Sequence, residues 1–366
     1  MSEISPQSLT HALQSVVEPT LERTLLDLGV QPQVSVSAGH VEVSITLGYP
    51  AEGVSQILAE AVNEALSGIA GVESVSVEID WDIPSRGGAN TAARTPGVKN
   101  IIAVASGKGG VGKSTTAVNL AVALAAEGAR VGVLDADIYG PSQHHMLGVG
   151  QQRPDIVQQD GKDMMVPIQA HGVQSVSMGY LVTEQTPMVW RGPMVSGALQ
   201  QLLGQTRWDD VDYLIVDMPP GTGDIQLTLS QRVPVAGAVI VTTPQDIALL
   251  DAKKGIEMFR KVNVPVFGVV ENMAVHTCSN CGHEEHIFGA GGGERIAREY
   301  GTELLGSLPL DLSIRATTDS GLPTVAADRN SSLSGHYRRI ARRLSANLWQ
   351  GLPSDQQAPE IVITDD

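Results

Sequence analysis

Residues 107–114 read Gly107-Lys108-Gly109-Gly110-Val111-Gly112-Lys113-Ser114, which matches the spacing G-x-x-x-x-G-K-[ST] of a phosphate-binding loop. The glycines let consecutive backbone N–H groups turn towards phosphate oxygens, Lys113 can reach the β- and γ-phosphates, and the Ser114 hydroxyl can bind Mg²⁺. An apolar run at 101–105 precedes the loop, as a buried strand would, and residues 117–126 continue it as a helix. This context predicts a loop that binds and hydrolyses a nucleotide.

The same loop holds a second lysine, Lys108, which the phosphate-loop spacing does not require. A flexible ammonium group at this position could point into solvent. It could also cross to a nucleotide bound by a second copy of the chain and neutralise charge there, as an arginine finger does. The second possibility would make the protein a homodimer.

Apolar runs alternate with helical stretches beyond the loop. Near-continuous apolar strands indicate a sheet that is covered on both faces. The sequence therefore predicts an α/β fold with a doubly wound, mostly parallel sheet and nucleotide chemistry at the carboxyl ends of its strands. The predicted strands that follow the loop are 131–134, 173–178, 213–216, 238–241, 266–270 and 304–308.

A smaller α+β unit is predicted before this domain. It contains helices at 8–17, 20–28 and 53–69, two alternating strands at 34–37 and 40–46, and a closing strand at 75–79. Small and polar residues follow it, as in a flexible linker. The predicted organisation is a small domain at 1–83, a linker at 84–97, the nucleotide-binding domain at 98–350 and a disordered acidic tail at 351–366.

The composition limits the classes of partner. The chain has 366 residues, a formal net charge of −16 and only two cysteines. Phosphate backbones and anionic membrane surfaces are bound by clustered Lys and Arg, so we expect neither a nucleic-acid nor a membrane partner. No apolar stretch has the length of a membrane span and no basic region precedes an apolar one, so we expect a cytoplasmic protein.

Carboxylates follow two of the predicted strands. Asp135 and Asp137 come at the end of 131–134, and Asp217 ends 213–216. Carboxylates beside a phosphate loop can hold the water shell of Mg²⁺ and orient an attacking water molecule. The stiff loop at 219–224 is suited to sensing a γ-phosphate. Asn272, just after another strand, could hydrogen-bond a nucleotide base or cap a turn.

The two cysteines, Cys278 and Cys281, stand three positions apart in one loop, where both thiolates can bind the same metal. Two more ligands are needed for a four-ligand site. They could be histidines of the same chain, giving a zinc knuckle, or the same cysteines of a second copy, giving a shared [4Fe-4S] cluster. A redox pair and two structural thiols remain alternatives. The candidate histidines are His276, His283 and His286.

Several motifs together resemble the Mrp/ApbC family of iron–sulfur cluster carriers, which have a deviant Walker A phosphate loop. The resemblance covers about residues 98–345, and residues 1–83 resemble the MIP18-like domain that many such proteins carry, although Glu18-Pro-Thr-Leu21 departs from its usual Asp-Pro-Glu-Leu. The matching stretches are Gly107–Thr115, Asp135–Ser142, Trp190–Pro193, Asp212–Asp224, Thr242–Gln245, Glu271–Met273, Cys278–Cys281 and Ile287–Gly289.

The resemblance implies a homodimeric ATPase that binds an iron–sulfur cluster through Cys278 and Cys281 of both chains and transfers it to apoproteins. The partners it implies are apo iron–sulfur proteins and cluster-assembly scaffolds. Its matching positions imply that Lys108 crosses the dimer and that Lys113, Ser114 and the loop through Thr115 hold ATP and Mg²⁺. Asp137 is implied as the carboxylate that orients water. Asp135 and Asp217 are implied in the outer shell of the metal, and Asn272 is a candidate contact to the nucleotide.

A regulatory ATPase of the septum-site or chromosome-partitioning type is the alternative function. It would share the loop, the aspartates and the dimer. A membrane-recruited regulator needs a basic amphipathic helix, whereas this chain ends Glu360-Ile-Val-Ile-Thr-Asp-Asp366. A DNA-bound regulator needs a basic face, which the net charge of −16 disfavours.

Overall fold

The structure is a computed structural model that describes residues 4–86, 88, 93–181, 192–351 and 363–365. The chain divides into two units, one formed by Met1–Pro84 with Ser345–Asp366 and the other by Ser85–Leu344. The elements up to residue 84 are α1 (Pro6–Gln14), β1 (Val17–Glu18), β2 (Arg23–Thr24), β3 (Gln33–Ser37), β4 (His40–Leu47), α2 (Glu52–Ser67) and β5 (Ser74–Trp81).

The elements that follow belong mainly to the second unit. They are β6 (Val98–Ala105), α3 (Lys113–Ala126), β7 (Val131–Asp135), α4 (Gln143–Met146), β8 (Ile156–Gln159), β9 (Lys162–Met165), β10 (Ile168–Ala170), β11 (Val173–Ser177), a 3-10 helix (Met178–Tyr180), α5 (Gly192–Gly204), β12 (Val211–Asp217), α6 (Asp224–Arg232), β13 (Gly237–Thr242), α7 (Asp246–Lys261), β14 (Val266–Glu271), β15 (His276–Thr277), β16 (Glu284–Glu285), α8 (Gly292–Tyr300), β17 (Leu304–Ser307), α9 (Leu312–Asp319), α10 (Thr324–Ala327), α11 (Ser332–Gln350) and β18 (Ile363–Asp365).

An eight-stranded sheet forms the centre of the second unit. Its order is β10-β11-β7-β12-β6-β13-β14-β17, and every neighbouring pair is parallel except β10 with β11. Every residue of β12 is buried, which requires helices or loops against both faces. The predicted doubly wound, mostly parallel sheet is confirmed, and it brings the ends of β6, β7, β12 and β14 to one edge.

The first unit is a small α+β fold, as predicted. Its sheet has the order β18-β3-β4-β5, with β3 antiparallel to β4 and β5 parallel to it. Alternate side chains of β4 are buried, and α2 buries one apolar side chain per turn against the same core. The buried side chains of α2 are Val54, Leu58, Val62 and Leu66.

The helix predicted at 20–28 does not form. Glu18 precedes a proline, which favours extended backbone at this residue, and its carboxylate accepts the backbone N–H of Thr20 at 2.9 Å. The chain then turns through Glu22, whose φ of +53° is left-handed, and β1 pairs with β2 instead. A local side-chain cap and a short strand pair therefore replace the helix that the apolar spacing favours.

The structure differs from the predicted linker and tail. The first linker residues are bound to the second unit, because Ser85 Oγ donates to the Lys99 carbonyl at 3.0 Å and the Arg86 guanidinium lies 5.2 Å from the centre of the Phe267 ring. Residues 87 and 89–92 lie outside the described residues, as do 352–362 and 366 of the tail. Ile363–Asp365, predicted to be disordered, pair with β3 as a parallel strand, so backbone pairing orders this part of the tail.

The longest helix among the described residues, α11, carries Arg338 and Arg342, which both bind the buried carboxylate of Glu127, at 2.5 and 2.7 Å. Among the helices that the structure describes, none is long and apolar enough to cross a membrane. Trp190 and Arg191 of the quoted motif lie outside the described residues.

Candidate nucleotide and thiol sites

The phosphate-binding loop lies between β6 and α3, as predicted. Gly110 and Gly112 have φ values of +82° and +80°, a left-handed conformation that glycine adopts without strain. A Cβ atom on Gly112 would collide with the Asn272 side-chain amide, and one on Gly107 would collide with the backbone of Asp251. The glycines are therefore needed both for the turn and for the close packing of neighbouring elements on the loop.

Lys113, at the start of α3, is buried and forms an ion pair with Asp217 at the end of β12. Its ammonium group also lies 3.2 Å from Ser114 Oγ. The second oxygen of Asp217 accepts a hydrogen bond from Gln143 Nε2 at 2.8 Å. The structure thus joins the lysine and hydroxyl expected to contact phosphate and Mg²⁺ with the carboxylate expected beside the metal.

Asp135, at the end of β7, is fully buried and anchors the turn that follows it. Its Oδ2 accepts the backbone N–H groups of Ser142 and Gln143, at 2.9 and 3.0 Å, and the hydroxyl of Ser177 at 3.0 Å. Burial and the nearby Asp217 carboxylate raise the pKa of Asp135 to about 7, although these hydrogen bonds and Lys113 oppose the rise. Gln143 and Ser177 were not among the predicted site residues.

The raised pKa predicts a pH-dependent free energy of unfolding. Because the folded-state pKa of Asp135 lies above its ordinary value of 3.8, the folded chain binds more protons than the unfolded chain between these two pH values. This carboxyl group therefore makes the free energy of unfolding fall as the pH rises from about 4 to 7. We expect Asp135→Asn to remove about 1–3 kcal/mol of that fall.

Urea unfolding of the nucleotide-free chain at pH 5 and pH 7.5 measures this difference. Asp155→Asn, at an exposed position, is the matched control and should retain the wild-type pH dependence. Equal pH dependence in the wild type and Asp135→Asn would contradict the assignment.

Asp137 lies two residues further on and is half-buried. Burial raises the pKa of Asp137, the Lys113 ammonium opposes that effect and Asp217 adds to it. The carboxyl group therefore shares the electrostatic environment of the phosphate loop. The role of Asp137 in orienting a water molecule stays a prediction.

Lys108 is half-buried at the tip of the same loop. Its backbone carbonyl accepts a hydrogen bond from Ser106 Oγ at 2.8 Å. Within the described part of the chain, no carboxylate or hydrogen-bond acceptor contacts its ammonium group. As far as the described residues go, this charge is left available for a further group.

The side-chain amide of Asn272 contacts the phosphate loop. Asn272 is 8% exposed, and its Nδ2 donates to the carbonyl of Val111 in the phosphate loop at 2.9 Å. Its backbone N–H is bound to the Thr242 carbonyl at 2.7 Å. The side chain predicted to contact a base thus holds the loop itself, an arrangement that depends on two segments 161 residues apart.

Cys278 and Cys281 lie at the tip of a two-stranded hairpin, which we call the cysteine hairpin (residues 276–286). β15 pairs with β16, and the tip is closed by hydrogen bonds from Cys278 N–H to the His283 carbonyl and from Gly282 N–H to the Cys278 carbonyl. Cys278 is half-buried and Cys281 is exposed. Both thiols are therefore presented together at one accessible end of the hairpin.

The backbone of the tip also lowers the pKa of the Cys278 thiol. The N–H groups of Asn280 and Cys281, followed by the Cys281 side chain, stabilise the thiolate of Cys278 by hydrogen bonding. The thiolate is the form that binds a metal ion or attacks an electrophile. The hairpin tip thus favours the reactive form of one of its two sulfurs.

The histidines near the cysteines do not complete a metal site within one chain. The Nδ1 atoms of His276 and His286 are engaged by the carbonyls of Leu310, at 3.2 Å, and Ala274, at 2.8 Å. His283 lies 3.8 Å from the carboxylate of Glu285. In the described ranges, no group of three or more His, Cys, Asp or Glu side chains could hold a metal ion. The geometry therefore gives no support to an internal zinc knuckle.

The parallel sheet, the glycine loop between β6 and α3, and Lys113 paired with Asp217 define a P-loop nucleoside triphosphatase. A family model described as a NUBPL iron-transfer P-loop NTPase matches residues 97–345, and one described as an iron-sulfur cluster assembly protein matches residues 6–79. The chain belongs to the family of NUBPL-type iron-transfer P-loop NTPases.

Relatives with known names agree with this assignment. The chain is 64% identical over 281 residues to an iron-sulfur cluster carrier protein of Pseudomonas fragi, covering 76% of this chain and 96% of the relative. It is 51% identical over 360 residues to one of Escherichia coli, covering 96% and 97%. A nucleotide-binding protein of Archaeoglobus fulgidus, solved in complex with ADP, is 34% identical with a TM-score of 0.57, covering 67% of this chain and 94% of that one.

Proposed function

We propose that this protein is an iron–sulfur cluster carrier that binds and hydrolyses ATP, holds a [4Fe-4S] cluster between two copies of the chain and transfers it to apoproteins. One observation carries the proposal: the chain has two cysteines, both lie at the tip of one accessible hairpin, and no third ligand stands beside them in the described residues. A four-iron cluster is normally held by four thiolates. Two copies related by a two-fold axis supply that number.

ATP and Mg²⁺ fit the residues around the phosphate loop. The loop backbone through Thr115 and the Lys113 ammonium would bind the phosphates, and Ser114 Oγ would bind the metal. In the structure Lys113 is paired with Asp217, which balances its charge. The Archaeoglobus fulgidus relative was solved in complex with ADP, which supports nucleotide binding by this chain.

Hydrolysis would depend on positioning the reacting groups and neutralising the phosphate charge, because the protein itself has little covalent chemistry to perform in phosphoryl transfer. Asp137 would orient the attacking water. Asp135 holds the turn that carries Asp137, through hydrogen bonds at 2.9–3.2 Å. Lys108 of one copy would neutralise phosphate charge at the nucleotide of the other. Because Lys108 and the cysteines both act across a dimer, closing one interface would serve both sites.

The other proposed partners are apo iron–sulfur proteins as recipients and cluster-assembly scaffolds as donors. A cluster bound at an exposed tip can be passed on by ligand exchange, since thiolates of a recipient can approach it. Two free thiols in one hairpin suit a reducing compartment such as the cytoplasm.

Anaerobic iron and sulfide analysis combined with native mass spectrometry tests the proposal directly. After reconstitution we expect about four iron and four sulfide ions per dimer, since a cluster with four thiolate ligands needs both copies. The mass should show the cluster only on the dimer. One zinc ion per monomer, or a full cluster on a monomer, would contradict the shared site.

A further inference from the structure

One short segment after β14 contacts both candidate sites. Its first residue, Asn272, donates from Nδ2 to the Val111 carbonyl at 2.9 Å. A Cβ atom on Gly112 would collide with the same amide nitrogen. The backbone of the phosphate loop thus lies directly on Asn272, and a displacement of the loop must move this side chain or break its hydrogen bond.

Two residues further on, Ala274 holds the base of the cysteine hairpin. Its carbonyl accepts a hydrogen bond from His286 Nδ1 at 2.8 Å, which requires the proton to be on that ring nitrogen. Its N–H is bound to the Leu308 carbonyl at 2.9 Å. Because His286 directly follows β16, this hydrogen bond ties the returning arm of the hairpin to the segment that starts its outgoing arm.

Met273 joins these two residues in a strained conformation. Its φ is +57°, in the left-handed region that side chains with a Cβ atom rarely adopt. Such a residue keeps this conformation only where its surroundings hold it. Here the surroundings are the hydrogen bonds of Asn272 on one side and of Ala274 on the other, so the segment is fixed from both sites.

We propose that residues 272–274 couple the phosphate loop to the cysteine hairpin, with Asn272 positioning the loop through Val111 and Ala274 positioning the hairpin through His286. Nucleotide binding changes the loop, the change reaches Ala274 within two residues, and the hydrogen bond of His286 passes it to the arm that carries Cys281. Through this coupling, the reactivity of the two cysteines depends on the bound nucleotide. The coupling itself does not require the proposed function. Only its biological purpose rests on that function.

The reactivity of the two thiols measures the coupling in protein that holds no cluster. The chain has two cysteines, both in the hairpin, so the alkylation rate of the reduced, metal-free protein measures the hairpin alone. We expect saturating MgADP to change this rate by about fivefold or more in the wild type, the lower end of typical coupling between sites. In His286→Ala the change should fall below about twofold, because the link to Ala274 is lost.

Three further variants separate the hydrogen bond from other effects. His286→Asn places an amide N–H near the position of the imidazole Nδ1 and should retain the MgADP effect, whereas His286→Gln, whose amide reaches further, should lose it. His283→Ala is the matched control, since this exposed ring belongs to the same hairpin without contacting Ala274. An MgADP affinity close to the wild-type value would show that each variant keeps its phosphate loop.

Two results would overturn the proposal. One is an alkylation rate in the wild type that does not respond to MgADP. The other is a response that persists in both His286→Ala and His286→Gln, since the signal would then travel by another route, such as dimer closure. Neither result depends on iron, so the two proposals can fail separately. If only the cluster proposal is wrong, the protein will bind no cluster but its alkylation rate will still respond to MgADP.

Discussion

Cys281→Ala is expected to remove all cluster iron from the reconstituted protein. The chain has only two cysteines, so a dimer of the variant would offer two thiolates where a four-iron cluster needs four. Cys281 is exposed at the hairpin tip, and its replacement should change the free energy of unfolding by less than about 0.5 kcal/mol. Iron and sulfide analysis with the visible absorption of the cluster measures the loss.

The neighbouring residue supplies the control for this prediction. Ser279→Ala alters an exposed residue between the two cysteines and leaves both sulfurs in place, so it should bind the wild-type amount of iron. Iron and sulfide that remain bound to Cys281→Ala at the wild-type level would disprove the shared cluster. One zinc ion per monomer that survives the substitution would point to a site elsewhere in the chain.

Lys108→Ala is expected to retain ATP binding and to lose about 10³-fold or more in the rate of hydrolysis, the effect of removing an arginine finger. Within one chain the phosphates would be held by the loop backbone and by Lys113, which is buried beside Ser114. Lys113→Ala should therefore lose binding itself. Lys162→Ala, at an exposed position in β9, is the control and should leave binding and hydrolysis unchanged.

Mixing two inactive variants tests whether Lys108 acts across the dimer. In a mixed dimer of Lys108→Ala and Lys113→Ala, one site has an intact Lys113 and receives Lys108 from the other copy. Random pairing of equal amounts should restore about one quarter of the wild-type rate. No restoration, with mixed dimers seen by native mass, would place Lys108 at the nucleotide of its own chain. A wild-type rate of hydrolysis in Lys108→Ala alone would show that Lys108 has no role in hydrolysis.

Much of the second unit could be predicted because its signals are local. A run of apolar residues such as 213–216 is typical of a covered strand, and a glycine-rich loop between such a strand and a helix is typical of phosphate binding. Asp135 and Asp217 end neighbouring parallel strands, so their proximity also followed from the pattern. The register places Asp217 opposite Asp135, and burial, followed by the nearby Asp217 carboxylate, raises the pKa of Asp135.

The first unit shows where apolar spacing misleads. Residues 20–28 have the spacing of a helix, but Pro19 and the carboxylate of Glu18 favour a turn, and this local chemistry prevails. The tail shows the opposite case: Ile363–Asp365 form a strand only because the edge of β3 offers unpaired backbone groups. Neither outcome can be read from the periodicity of the segment itself.

By itself the sequence determined the class of the protein, through the phosphate loop, the alternation of strands and helices, and the pair of cysteines in one loop. Each of these signals consists of residues that are close together in the sequence, so their spacing constrains the backbone directly. Only the tertiary structure showed that Gln143 donates to Asp217, that Ser177 donates to Asp135 and that Asn272 holds the phosphate loop. It alone placed His286 on Ala274. These contacts join residues from different elements, and their geometry depends on how strands and loops pack, which no local pattern contains.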